Sequence, residues 1–160
     1  MSPAYLAIDP GANGAIVHAT HDGRVVCHKM GDDVEIRDLI ESIATAARME
    51  GWTLVAVMEQ VGGYVGGAGA PGSAMFRFGD GYGHLRGLLS AYHIRTELIR
   101  PQKWQAGIPG LKAADGKSAE KSIRKRALKE HAGRLFPDQK VTLANCDALL
   151  ILDYARRNNL

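Results

Sequence analysis

The chain has few cysteines, few aromatic residues and no long apolar run. Its two cysteines, Cys27 and Cys146, form no CxxC pair, and the six histidines add no zinc-like spacing. These features argue against a disulfide scaffold and a structural zinc site, so both cysteines are expected to be reduced and buried. No segment approaches the ~20 apolar residues of a membrane span, and we expect no membrane role.

The overall composition is that of a soluble globular protein, with 46% hydrophobic and 23% charged residues. Its 160 residues contain no repeat or long linker, which predicts one compact domain over residues 1–160. The opening MSPAYLAIDPG lacks the basic start and apolar run of a signal peptide. The expected location is therefore the cytoplasm.

Positive charge is concentrated in one part of the chain, although the formal net charge is only +3. Residues 112–134 contain eight basic and three acidic side chains. The basic ones are Lys112, Lys117, Lys121, Arg124, Lys125, Arg126, Lys129 and Arg134. A polyanion is the natural partner of such a segment, and a solvated helix face is the alternative.

Turn chemistry and apolar spacing predict an α/β fold. Three short β-prone runs separated by DPGAN and THDG, at residues 5–9, 14–19 and 24–29, indicate an antiparallel meander. Helical spacing follows up to Gly51, and the apolar run TLVAVMEQ is typical of a buried central strand. The remaining pattern predicts a glycine-rich loop at 61–72, helices at 81–92, 118–135 and 146–157, and a strand at 96–99. The order βββαβαβαα favours a mixed five-stranded sheet flanked by helices.

Three acidic residues occupy positions where apolar segments end or turn. Asp9 ends the first strand, and Glu59 ends the apolar fourth strand, where an ionised carboxylate needs a cation to offset its desolvation. Asp147 shares a helix face with Leu150 and Ile151, so it points with the apolar stripe toward the sheet. A turn role for Asp9, an ion pair for Glu59 and a helix-dipole role for Asp147 are the alternatives. Together the three acids predict an oxygen-ligand site for Mg²⁺ or Mn²⁺.

The motif order then resembles a known family. AIDPGANGAIV, VMEQVGG, MFRFGDGYGHLRGLL, ELIRPQKWQAG, GRLFP and CDALLILDYARR are similar to the RuvC-like Holliday junction resolvases of the RNase H superfamily. The shorter bacteriophage and prophage members are the most similar. The resemblance implies an RNase H-like fold and a homodimer that nicks four-way DNA junctions in symmetric pairs.

The resemblance also implies roles for individual residues. Asp9 would bridge two Mg²⁺ ions, with Mn²⁺ as a substitute, and Glu59 and Asp147 would complete the ligand set. Lys121 would contact the scissile phosphate as a catalytic lysine. Tyr64 would stack on a base at the junction centre. The other implied DNA-binding residues are Lys103, Lys112, Lys117, Arg124 and Lys125.

The sequence departs from the family at two places. The family usually carries a fourth acidic or histidine ligand shortly before the Asp147 position, where this chain has Thr142, Leu143, Ala144 and Asn145. Asn145 would supply a neutral amide oxygen to the metal, cap the last helix, or replace an acid. Gln105 stands where the family often has a lysine after the tryptophan, which leaves Lys103 as the nearest cation.

Other functions remain open at this point. An actin-like sugar kinase or ATPase would need a second phosphate loop for which 160 residues leave little room, so no nucleotide cofactor is expected. A branched-DNA binder with impaired cleavage and a ribonuclease H acting on DNA–RNA hybrids are the two further alternatives.

Overall fold

A computed structural model describes residues 3–62 and 71–160 of the chain. The strands are β1 (Ala4–Asp9), β2 (Ala15–Ala19), β3 (Val25–Lys29), β4 (Leu54–Glu59) and β5 (Arg95–Ile99). The helices are α1 (Asp33–Met49), α2 (Gly72–Ala91), α3 (Pro101–Trp104), α4 (Lys121–Leu135) and α5 (Cys146–Arg157). The predicted order is confirmed, with the four-residue α3 as an addition.

The boundary of α2 corrects the sequence prediction. We expected loop up to Gly72 and helix only from residue 81, yet α2 already begins at Gly72. Glycine weakens an isolated helix by up to about 1 kcal/mol per residue, so local propensity argued against helix in this segment. Burial of Leu85 and Leu89 near its other end anchors the helix. The sequence favours a place for Phe76 in the core or in a dimer interface; its side chain is 73% exposed, so it does not belong to the core.

The five strands form one mixed sheet in the order β3-β2-β1-β4-β5. The first three strands pair antiparallel as the predicted meander, while β4 and β5 run parallel to β1. This arrangement confirms the mixed five-stranded sheet. Because β1 and β4 are parallel neighbours, both of their carboxyl ends lie at the same edge of the sheet.

The strand register brings particular side chains into one row at that edge. Lys29 pairs with Ala15, and Ala15 pairs with Asp9. On the other side, the parallel register that pairs Ile8 with Met58 places Glu59 beside Asp9. Side chains alternate between the two faces of a strand, so this row lies on a single face of the sheet.

Apolar residues cover both faces of the sheet. One face packs Leu6, Ile8 and Met58 against α1 and α2. The face that carries Asp9 packs its alanines and valines against α5, whose Leu149, Leu150, Ile151 and Leu152 are all almost fully buried. Small side chains such as Ala7 and Ala15 on this face let α5 approach the sheet closely. None of the helices in the described residues is long and apolar enough to cross a membrane.

A candidate carboxylate metal site

The three predicted acids lie at one edge of the sheet. Asp9 and Glu59 end the neighbouring parallel strands β1 and β4. Asp147 belongs to the first turn of α5, which packs on the same face, and its side chain is only 16% exposed. The charge of Asp147 raises the pKa of Asp9, and the charges of Asp9 and Asp147 both raise the pKa of Glu59. Secondary structure from distant parts of the chain therefore forms one acidic site.

Burial and repulsion by neighbouring carboxylates make the ionised forms of Asp9 and Glu59 costly. Burial, followed by the charge of Asp147, raises the pKa of Asp9 to about 6. Burial, followed by the charge of Asp9, raises the pKa of Glu59 to about 7. A protein carboxylate shifted this far upward lacks enough positive charge nearby to balance it. A bound cation would supply this missing positive charge.

Lys125 on α4 is the cation of the site. Its Nζ donates to Asp147 Oδ2 at 2.5 Å, and its side chain is 33% exposed. Burial, the largest single effect, disfavours its ammonium form, but the charge and hydrogen bond of Asp147 together with the charges of Cys146 and Asp9 leave the Lys125 pKa raised. One ammonium cannot balance three carboxylates. When all three are ionised, the site carries excess negative charge.

The turn after β1 approaches Asp9 so closely that position 14 must be glycine. A Cβ atom on Gly14 would lie 2.2 Å from the Asp9 carbonyl oxygen and 2.9 Å from its Cγ. Gly14 N donates to Gly11 O at 2.8 Å, which closes the turn. The DPGANG sequence thus holds the backbone and carboxylate of Asp9 in a fixed place at the sheet edge.

Trp104 holds the Glu59 carboxylate. Its indole Nε1 donates to Glu59 Oε2 at 3.0 Å, and the side chain is only 1% exposed. No ion pair of Glu59 with a lysine or arginine occurs among residues 3–62 and 71–160, so that alternative is wrong. Sequence reasoning drew only Lys103 and Gln105 from the PQKWQ motif. Trp104 itself was not identified from the sequence, although the indole N–H of a buried tryptophan usually needs a hydrogen-bond acceptor.

Replacing Trp104 with phenylalanine is expected to weaken binding of Mg²⁺ or Mn²⁺ about tenfold near pH 7. Loss of a residue that hydrogen-bonds a metal ligand typically lowers metal affinity about 10–100-fold. The indole bond lowers the Glu59 pKa, so its loss leaves Glu59 more protonated. The loss of metal affinity in the variant should shrink near pH 9, where Glu59 is ionised in both proteins. Titration calorimetry measures this loss of affinity. The control is Trp52→Phe, since the Trp52 ring packs at a tilt against His21. Unchanged affinity at both pH values would contradict the assigned role.

The donor set fits a hard divalent cation. All three acidic groups offer only oxygen, and their charge exceeds that of Lys125, which is the chemistry that Mg²⁺ and Mn²⁺ prefer. In the described part of the chain, however, no three His, Cys, Asp or Glu side chains are grouped closely enough to hold a metal ion as they stand. Lys125, which occupies Asp147 Oδ2, would have to share that carboxylate with an incoming cation.

Asn145 has a structural role just before α5. Its Oδ1 accepts from Thr142 N at 2.7 Å, and its Nδ2 donates to Lys140 O at 3.1 Å. Asn145 is the N-cap position, but its side chain makes no capping bond, so the capping alternative is wrong. Aspartate at this position would lose the donor to Lys140 O. The amide is therefore matched to the backbone that surrounds it.

The predicted DNA-binding residues spread from the site along α4 and the preceding loop. Lys121 and Lys125 line a cavity of about 700 Å³ that also includes Arg126 and Lys129. Lys121 is exposed, whereas Lys125 is the lysine that contacts a carboxylate. Tyr64 lies outside the described residues.

The remaining predicted contacts differ in how free their charges are. Lys103 and Lys112 are exposed, and Lys117 lies 3.7 Å from Asp115. Arg124 instead donates to Ser118 Oγ and Gln105 Oε1, both at 2.9 Å. The Arg124–Gln105 hydrogen bond thus connects α4 to the residue after α3, so Arg124 also stabilises the fold.

Solved structures share this fold. RuvC of T. thermophilus in complex with a Holliday junction substrate superposes with a TM-score of 0.58 at 9% identity, over 98% of this chain and 96% of that chain. A second Thermus thermophilus RuvC structure superposes with a TM-score of 0.53 at 11% identity, over 97% of this chain and 96% of that chain. A yeast mitochondrial Holliday junction resolvase gives a TM-score of 0.43 at 13% identity, over 96% of this chain and 75% of that chain.

Sequence comparison adds no relative, since no protein-family model and no curated protein matches the chain. The two RuvC structures nevertheless span almost the whole chain, and their mixed sheet flanked by helices is the one described above. The predicted RNase H-like fold of the RuvC type is therefore confirmed. At identities of 9% and 11% this likeness concerns the fold alone.

Proposed function

We propose that this protein is a metal-dependent endonuclease that cuts four-way and other branched DNA. The observation that carries the proposal is the convergence of Asp9, Glu59 and Asp147 at one sheet edge, directly beside Lys125 and the basic cavity of α4. Carboxylates with excess negative charge suit metal ions, while the adjacent cations suit a phosphate backbone. The fold shared with RuvC structures, one of them bound to a Holliday junction, supports the choice of substrate.

Each residue has a part in the proposed reaction. Asp9 would be the ligand shared by two Mg²⁺ ions, while Glu59 and Asp147 would each complete the ligand set of one ion. Two bound divalent ions supply a water nucleophile at neutral pH and stabilise the attacking and leaving oxygens of an in-line displacement. Trp104 orients Glu59, and Gly14 fixes Asp9.

The lysines would position the DNA. Lys125 contacts Asp147 and stands where the scissile phosphate would meet the carboxylates, while the exposed Lys121 one turn earlier would bind the approaching backbone. Phosphate contacts of this kind fix affinity and register without reading bases. Lys103, Lys112 and Lys117, with Tyr64 as a base-stacking wedge, would extend the contact area. A homodimer would present two such sites to the two strands that are nicked.

The family resemblance adds the biological setting to the proposal. A phage- or prophage-encoded enzyme acting in the cytoplasm of a bacterial host agrees with the motif set. Mn²⁺ would replace Mg²⁺, because both accept oxygen ligands in similar geometry.

The proposal predicts paired, symmetric nicks in a four-way junction and none in a linear duplex of the same sequence. A labelled junction, the matched duplex and a DNA–RNA hybrid would be incubated with Mg²⁺, Mn²⁺ or EDTA, and the products resolved on denaturing gels. Cleavage of the hybrid alone would instead identify a ribonuclease H. Cleavage that persists in EDTA would contradict the metal requirement.

A branched-DNA binder without full cleavage is the second candidate, and the segment before α5 favours it. Neither Ala144 nor Asn145 offers an acid, and the amide of Asn145 is engaged by Thr142 and Lys140. Tight binding of the junction in EDTA, without nicking in either metal, would support this function. Cleavage that appears only in Ala144→Asp would show that one ligand is missing.

A further inference from the structure

A second cavity lies near the carboxylates and is lined by residues other than those of the α4 cavity. It has a volume of about 350 Å³ and opens between edge strand β3 and the segment 139–145. Its lining includes Lys29, Lys140, Cys27, Ala15 and Ala144. None of these residues has been given a part in the proposed reaction. We call this space the β3 cavity.

The walls of the β3 cavity are held by hydrogen bonds between distant parts of the chain. Gln139 Nε2 donates to Val25 O at 3.3 Å, and Cys27 Sγ donates to Gln139 Oε1 at 3.7 Å. The two Asn145 amide bonds fix the other end of the segment. The segment is therefore fastened to β3 and to the start of α5, so the cavity exists before any ligand arrives.

The charge of the β3 cavity favours an anion. Lys29 and Lys140 both line it, and no aspartate or glutamate does. Neither lysine forms an ion pair within residues 3–62 and 71–160. Two ammonium groups beside polar Thr142 and Asn145 offer donors without a competing acceptor carboxylate, which is the chemistry of a phosphate site.

The position of the β3 cavity links it to the acidic site. Lys29, Ala15 and Asp9 stand in one row across three neighbouring strands. At about 4.8 Å between strands, Lys29 is roughly 10 Å from Asp9 along the row. Ala15, which stands between Lys29 and Asp9 in this row, is small, so no bulky side chain of the sheet separates these two residues.

We propose that the β3 cavity binds a backbone phosphate of the DNA strand that is cut, next to the phosphate held at the carboxylates, through Lys29 and Lys140. The inference rests on the proposed function and extends it. The cut strand would run from the α4 cavity, across Asp9, Glu59 and Asp147, into the β3 cavity. Cations in the two cavities would hold the scissile bond against the acidic site despite the repulsion between phosphate and carboxylate.

Salt dependence of binding tests the phosphate contact. The Lys29→Gln/Lys140→Gln double variant should bind a fluorescent four-way junction about tenfold more weakly in EDTA, with the slope of log K against log salt reduced by about one. Anisotropy titrations between about 50 and 200 mM KCl give both quantities. Arg48→Gln, which removes an exposed charge at the end of α1 on the opposite face of the sheet, is the control and should leave the slope unchanged.

Cys27 provides a second, independent readout. It lines the β3 cavity and is half-buried, whereas the only other cysteine, Cys146, is fully buried. Burial raises the pKa of the Cys27 thiol, so alkylation of the native protein at about pH 9.5 should label Cys27 slowly while Cys146 stays protected. Saturation with the junction in EDTA should remove most of that labelling, and mass spectrometry of the peptides measures it.

The possible results separate the two proposals. A wild type that binds the junction while Lys29→Gln/Lys140→Gln keeps the same slope, or while Cys27 remains fully reactive, overturns the β3 cavity alone. A wild type that does not bind the junction contradicts both proposals. Reduced slope together with protection of Cys27 supports the site even if the protein proves to bind without cutting.

Discussion

Asp9→Asn is expected to lower the rate of junction cleavage by about a thousandfold or more, because a metal ion contributes several kcal/mol and each 1.36 kcal/mol is tenfold in rate. Asparagine keeps the shape of the side chain and one oxygen but loses the charge that would bridge the metals. Binding of the junction in EDTA should stay within about threefold, since no DNA-contacting cation is removed. Cleavage rates and anisotropy on the same preparation measure the two effects.

Stability shows whether such a loss of activity comes from unfolding. Burial and the charge of Asp147 raise the pKa of Asp9 to about 6, so its ionised form destabilises the metal-free protein at pH 8. Asp9→Asn should therefore melt at a temperature equal to or above that of the wild type. Asp38→Asn, on an exposed residue of α1, is the matched control and should cleave normally. Full cleavage by Asp9→Asn would remove Asp9 from the site.

The second large effect is a loss of stability with rising pH when no divalent metal is present. The pKa values of Asp9 and Glu59 are raised from 3.8 and 4.5 to about 6 and about 7. Between those values the native state holds protons that the unfolded state has released, so the free energy of unfolding falls as pH rises. The fall should span about pH 4 to 8 and amount to about 3 kcal/mol, given 1.36 kcal/mol per pKa unit and coupling between the two groups.

Divalent metal should reverse this loss. Mg²⁺ at about a hundred times its Kd adds about 2.7 kcal/mol, or roughly 5–10 °C in Tm for a chain of this size. The increase should appear above pH 7 and nearly vanish at pH 5, where the protonated acids no longer bind metal. Thermal unfolding at several pH values, with Mg²⁺ or EDTA, measures both trends.

Histidines make a comparison variant necessary. Burial lowers the pKa of His18 and His28, which adds stability as pH rises toward 7 and so opposes the effect of the acids. The difference between wild type and Asp9→Asn/Glu59→Gln isolates the contribution of the acids. That variant should lose both the decline above pH 5 and the response to Mg²⁺. An equal Mg²⁺ response in both proteins would show that the metal binds elsewhere.

Helical and strand periodicity located the acids correctly because they lie in regular elements. The turn chemistry after β1 and the apolar run of β4 put Asp9 and Glu59 at strand ends, and the stripe of α5 put Asp147 toward the sheet. These are local patterns, so one sequence is enough to recognise them. The exception was α2, which begins in a glycine-rich segment that local propensity assigns to loop.

The partners of those acids depended on contacts between distant residues. Trp104 lies 45 positions from Glu59, and Lys125 lies 22 positions from Asp147, so no local spacing could pair them. The sequence resemblance favoured Lys121 as the catalytic lysine, whereas the packing of α4 on α5 directs Lys125 to the carboxylate. Each of these pairings is decided by how two helices or loops pack.

The sequence by itself determined the α/β order, the mixed sheet and the three acids, because periodicity and turn chemistry are encoded within a few neighbouring residues. Only the tertiary structure decided that Lys125 neutralises Asp147, that Asn145 serves the backbone, and that Lys29 and Lys140 share a cavity beside Asp9. Charges and hydrogen bonds act over a few ångströms of space. That distance is fixed by strand register and helix packing, whatever the separation along the chain.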